Sequence, residues 1–159
     1  MNELVIILDF GSQYTQLIAR RLRELNVYCE IYPYNKFPSR SDIKAVILSG
    51  SPFSVLDTNA LDFDLSLVLN KYPVLGVCYG AQLISKKLGG TVLKSDKREY
   101  GKAIMNVVKD DSIFINMPSA TQVWMSHGDS ITNVPEGFDI IAKTSDIVAA
   151  YRSASNTFT

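Results

Sequence analysis

The sequence has little of what marks a secreted, membrane or nucleic-acid-binding protein. Cysteine occurs only twice in 159 residues. With no secretory signal in view, that count excludes a disulfide framework and predicts a cytoplasmic, reducing setting. The opening "MNELVIILDFGSQ" has a short apolar stretch, no preceding positive charge, and an early Asp9. It reads as a buried strand rather than a signal peptide. No apolar run approaches the ~20 residues of a membrane-spanning helix. Basic and acidic residues number 16 each, so the net charge is zero. A chain without basic excess is a poor match for a phosphate backbone, which argues against nucleic acid as a partner. Histidine occurs once, as His127.

What is present suits one globular domain with a sizeable core: 47% hydrophobic and 20% charged residues. "LVIIL" (4–8) is a continuous apolar run, as in a strand buried on both faces. The stretch from Gly11 to Leu25 has helical periodicity, with Tyr14, Leu17, Ile18, Leu22 and Leu25 on one face and Ser12 as the expected N-cap. "VYCEIYPY" predicts a second strand, "KAVILSG" (44–50) a third and "PVLGV" (73–77) a fourth. Residues 60–70 predict a helix, as do Tyr79 to Leu88, the latter closed by Gly89 and Gly90. Alternation of this kind implies an α/β fold with an open, mostly parallel sheet and helices on both faces. After residue 90 the runs "TVLKS", "AIMNVV", "SIFIN", "QVWMS", "FDIIAK" and "DIVAAY" predict short strands that extend the sheet and form hairpins.

In open parallel sheets ligands gather outside the carboxyl ends of the strands. "DFGSQ", "SGSPFS" and "CYGAQ" all fall there. Gly76-Val77-Cys78-Tyr79-Gly80 has the layout of a nucleophile elbow, in which a strand turns sharply into a helix and small neighbours allow close backbones. A sulfur at that corner lies at a helix N-terminus, where the thiolate is favoured, and the N–H of Tyr79 would face an oxyanion on the attacked carbonyl. Cys29, in "VYCEI", has no such context and reads as core.

The segments "SGSP" and "GVCYGAQ" resemble the class I glutamine amidotransferases, whose glutaminase domain is flavodoxin-like. The order of "DFGSQYTQ", "LSGSP", "GVCYGAQ", "REYG" and "WMSHGD" extends the resemblance over nearly the whole chain, as a single domain 1–159. The resemblance implies that Cys78 attacks the side-chain amide of glutamine, with backbone N–H groups of Ser51 and Tyr79 as the oxyanion hole. Gly50-Ser51-Pro52 departs from the usual Gly-Gly-Pro, so Ser51 holds a shape often left to glycine. Gly50, Gln82, Ser126, His127, Gly128 and Asp129 are implied in substrate binding, with Asp129 meeting the ammonium of glutamine. Arg98 to Gly101 is expected to line the entrance or face a partner, with a plain surface loop as the alternative. No metal or cofactor is expected in this domain. ATP and Mg²⁺ belong to a synthetase domain, fused or separate, that would consume the ammonia. The family takes its general base from a downstream His-Pro-Glu segment, and these 159 residues contain none. The expectation is therefore a chain truncated before that segment and inactive or nearly so alone. The alternatives are His127 as base, a glutaminase of anthranilate or carbamoyl phosphate synthesis, and a non-catalytic module that binds glutamine or docks on a synthetase.

Overall fold

A computed structural model describes residues 3–154, with side chains of residues 96–99 left aside. Two compact units divide the chain, the first up to Ile84 and the second from Ser85. The first unit carries a parallel sheet in the order β2-β1-β3-β4. Its strands are β1 (Leu4–Asp9), β2 (Tyr28–Pro33), β3 (Ile43–Leu48) and β4 (Val74–Gly76). The parallel register pairs Ile6 with Val46 and Ile7 with Ile47, and Val46 with Val74 in turn. Alternation then sends two apolar rows to opposite faces. One row is Ile7, Cys29 and Ile47, closed by Ala19, Ile18 and Leu22 of α1 (Thr15–Glu24). The other is Leu4, Ile6, Leu8, Val46, Leu48 and Val74, all inaccessible to solvent. Helix α2 (Tyr79–Lys87) meets this second face, with Gly80 set directly against Leu48. Helices therefore cover both faces of the parallel sheet, as predicted.

Three sequence expectations change in this unit. The buried side of α1 is Thr15, Ala19, Ile18 and Leu22, whereas Tyr14, Leu17 and Leu25 are exposed. The small Ala19 lets the helix backbone approach the sheet, which the larger residues on the neighbouring stripe would prevent. Ser12 does not cap the helix from the Ncap position, which belongs to Tyr14; its Oγ instead accepts from the Tyr14 N–H at 3.0 Å. Residues 60–70 are not a helix but a single 3₁₀ turn, Leu65–Leu67. Asp62 accepts from the Phe63 N–H and Asp64 from the Ser66 N–H. Short acidic side chains that bind nearby backbone in this way compete with helix propagation. Asn70, at φ 62°, then ends the turn.

The second unit is a separate antiparallel sheet in the order β6-β5-β7-β8. Its strands are β5 (Thr91–Val107), β6 (Ala120–Asn133), β7 (Phe138–Thr144) and β8 (Ile147–Ser153). The hairpins expected here are present, but they build their own sheet instead of extending the parallel one. "TVLKS" and "AIMNVV" are the two ends of one long strand, with a register shift between Lys94 and Glu99. "SIFIN" is no strand: Ser112–Phe114 form a 3₁₀ turn whose first free amide, Ile113 N–H, is held by Asp111 Oδ1 at 2.9 Å. Gly89, at φ 94°, closes α2 as expected, and the Gly90 N–H donates to Ser85 O at 2.7 Å.

Ile6 lies at the centre of the doubly covered sheet. Ile6→Ala should destabilise the protein by about 2–5 kcal/mol, the usual range for emptying a tight core site, as read by urea denaturation.

Candidate active site at the strand–helix corner

Cys78 occupies the corner between β4 and α2 and is exposed. Its φ is 52°, in the left-handed region that side chains other than glycine rarely adopt. The packing around it explains why the corner is held there. A Cβ at Gly76 would stand 2.7 Å from Ala81 N, and one at Gly80 would stand 2.5 Å from Leu48 O. Both contacts are to backbone and neither can relax cheaply. The first turn of α2 is thus pressed onto β3 and β4, and only two glycines allow it. Hydrogen bonds fix the same approach: Val77 N–H donates to Leu48 O at 2.9 Å, and Gly80 N–H to Ser49 O at 3.2 Å. The chain must reverse sharply, and Cys78 takes the strained conformation, its side chain exposed.

The loop after β3 lies against this corner. A Cβ on Gly50 would touch Cys78 Cβ at 3.5 Å and Ser12 Oγ at 3.5 Å. "DFGSQ", "SGSP" and "CYGAQ" therefore meet, as their place at the strand ends predicts. Their junction depends on the fully buried Ser49, the first residue of "SGSP". Its Oγ accepts from the Phe10 N–H at 2.9 Å and donates to Gly50 O at 2.9 Å, tying the exit of β1 to the exit of β3. Ser51 Oγ accepts from the Phe53 N–H at 3.2 Å, a local turn that shapes the next residues. Asp9 supports the first loop through Oδ1, which accepts from Gly11 N–H and Thr15 Oγ1, each at 2.9 Å.

Tyr79 begins α2, so its N–H belongs to the first helical turn, whose amides lack intrahelical partners. Its ring is buried beneath the corner. The phenol donates to Leu61 O at 2.7 Å, and the ring packs on Phe10 with centroids 5.5 Å apart. Burial pushes the phenol pKa up to about 12. Gln82, one turn on, is 7% exposed, so it is no solvated helix residue. Its N–H donates to Cys78 O at 3.0 Å, which closes the first turn of the helix. A cleft of about 350 Å³ opens beside these loops, lined by Asp9, Phe10, Tyr34 and Phe53 among others, with Cys78 outside its wall.

The remaining predicted residues belong to the second unit. Ser126, His127, Gly128 and Asp129 lie on β6. Ser126 is exposed, His127 and Gly128 are half-buried and Asp129 is buried. Glu99 and Tyr100 pair with His127 and Ser126 across the β5–β6 ladder, so "REYG" is strand as well. The side chains of Arg98 and Glu99 lie outside the described residues.

Gly80→Ala should cost about 1–3 kcal/mol, as overpacking against fixed backbone does, and should slow alkylation of Cys78 by lifting the helix from the sheet. Thermal melts and timed thiol labelling would report both. A second expectation follows from the left-handed φ. Cys78→Gly should be more stable than Cys78→Ala by about 1 kcal/mol, since only glycine adopts that conformation freely. Equal stabilities of the two variants would mean that the corner is relaxed.

Comparison with known proteins extends these observations along the chain. The family described as "Glutamine amidotransferase class-I" matches residues 6–159. A protein of Cytophaga hutchinsonii named "GMP synthase [glutamine-hydrolyzing]" is 59% identical over 155 residues, covering 96% of this chain and 30% of the relative. One of the same name from Bacteroides fragilis is 56% identical, with 96% and 31% covered. The chain thus spans about a third of the length of the curated relatives it matches. Among solved structures, a protein from Thermoplasma acidophilum described as a putative GMP synthase subunit superposes with a TM-score of 0.80 at 28% identity, covering 98% of this chain and 80% of that one. A Thermotoga maritima glutamine amidotransferase gives 0.77 at 21% identity, with 93% and 70% covered, and shares the fold. The glycine-flanked cysteine corner thus sits inside a match that runs from residue 6 to residue 159, and on that match this chain belongs to the class I glutamine amidotransferases.

Proposed function

We propose that this chain is the glutaminase part of a GMP synthase, releasing ammonia from glutamine for the conversion of xanthosine monophosphate to GMP. The observation that carries the reading is Cys78, exposed and left-handed at the start of α2. The relatives named GMP synthase, at 54–59% identity, support the choice among amidotransferases.

In this reading the Cys78 thiolate adds to the side-chain amide carbon of glutamine. The carbon–sulfur bond forms as the carbonyl π pair moves onto oxygen, where the N–H groups of Ser51 and Tyr79 receive the negative charge. The carbon–nitrogen bond then breaks, and the nitrogen leaves as ammonia with the proton taken from the thiol. Water hydrolyses the thioester to glutamate and restores the thiol. Each oxyanion donor is typically worth ~10²–10³ in rate. Gly50 leaves room beside the sulfur, and Gln82 is placed one turn behind it. Ser126, His127, Gly128 and Asp129 take the amino-acid end of glutamine, Asp129 through its charge.

The ammonia passes to an ATP-dependent synthetase, in cis or in trans, which carries ATP and Mg²⁺. His127 is a binding residue here and not the general base. Without that base the 159 residues alone turn glutamine over slowly, since such a group typically contributes ~10²–10⁴-fold. A reducing cytoplasm suits a reactive thiol of this kind.

In the intact gene product, Cys78→Ala should abolish GMP formation from glutamine and leave formation from free ammonia intact. Paired assays with the two nitrogen sources decide the matter. Equal loss of both activities would make the cysteine structural.

A further inference from the structure

The β5–β6 hairpin runs well past its neighbours. β5 pairs with β7 only over Met105–Val107, whereas its ladder with β6 continues to Glu99 opposite His127. Between those limits the hairpin is a two-stranded ribbon with two unlike faces. Gly101, Ala103 and Met105 on β5 face the same side as Met125, Val123 and Thr121 on β6, and that side is half-buried or buried. The opposite side carries Tyr100, Lys102 and Ile104 beside Ser126, Trp124 and Gln122. Every residue of this second group is exposed, Trp124 at 70%, Tyr100 at 62% and Ile104 at 53%.

Two aromatic rings and an isoleucine on one strand face, open to water, are not needed to hold the hairpin. The ladder and the half-buried opposite side do that. Contiguous exposed apolar groups of this sort mark interaction surfaces, and tryptophan and tyrosine are the side chains that most often dominate binding energy at them. Lys102 lies directly across from Trp124, so the occupant must offer an apolar surface bearing a carboxylate within reach of the ammonium.

We propose that this ribbon face docks the ammonia-consuming synthetase. The inference rests on the glutaminase reading above. The relatives are about three times as long as the matched stretch, so the reading requires a surface for the part that uses the ammonia.

The test uses the intact gene product, with its synthetase in cis or supplied separately. Trp124→Glu and Ile104→Glu are each compared with Ile115→Glu, an exposed apolar residue of the same unit that lies off the ribbon. Three readouts are taken: amination driven by glutamine, amination driven by free ammonia, and labelling of Cys78 by diazo-oxo-norleucine. The expected result is a fall of at least tenfold in glutamine-driven amination for both ribbon variants. Ammonia-driven amination and Cys78 labelling stay within twofold of the unmodified protein, and Ile115→Glu changes nothing. Unaltered glutamine-driven amination in Trp124→Glu would overturn the proposal. So would loss of self-association in sedimentation without a change in that activity, which would make the ribbon a contact between copies. Failure of the underlying reading looks different, since Cys78 would then resist labelling in the unmodified protein.

Discussion

The first turn of α2 lies so close to the parallel sheet that no side chain fits between them. Everything distinctive about the cysteine corner follows from that approach. Gly76 and Gly80 remove the two methyl groups that would meet backbone at 2.7 and 2.5 Å. With the helix start pressed onto Leu48, the chain has little room in which to turn, and Cys78 adopts φ 52° to do so. Strain at a single position, of order 1–3 kcal/mol, persists only when the surroundings determine it. Here the surroundings are a doubly covered sheet whose inner row is inaccessible to solvent. The core thus does more than hold the domain together: it keeps a thiol in a conformation it would otherwise leave.

The sheet explains where the other loops go. In a parallel sheet all strands exit at the same end, so the segments after β1, β3 and β4 cannot avoid one another. Ser49 makes that neighbourhood specific by bonding to the backbone on both sides of it. Substrate chemistry needs such fixed placement, because a loose nucleophile loses most of its advantage.

Much of this is legible in the sequence because it rests on local patterns. Continuous apolar runs such as "LVIIL" announce strands buried on both faces, and a glycine two positions either side of Cys78 announces close backbones. What stays hidden depends on tertiary detail. The helical stripe of α1 offers two overlapping faces, and the small Ala19 decides between them by letting the sheet approach. Residues 60–70 have helical spacing, yet Asp62 and Asp64 bind the neighbouring amides and leave only one turn. Ser49 opens "SGSP", but the motif does not show its role as a tie, which comes from burial between two strand ends distant in sequence. The antiparallel sheet is legible as short strands but not as a separate body, since alternation along a strand does not say which strand lies beside it.

Tyr79 has a side chain as consequential as its backbone. Its phenol reaches under the loop and holds Leu61 O, while Ser49 fixes the same loop where it leaves β3. The residues between are therefore pinned at both ends, with the buried Val55 as a further anchor. Insertions or deletions at the exposed Thr58 and Asn59 can alter what approaches the sulfur without disturbing the bend that presents it. Variation in that span gives evolution, or an engineer, a means of reshaping access while leaving the nucleophile in place.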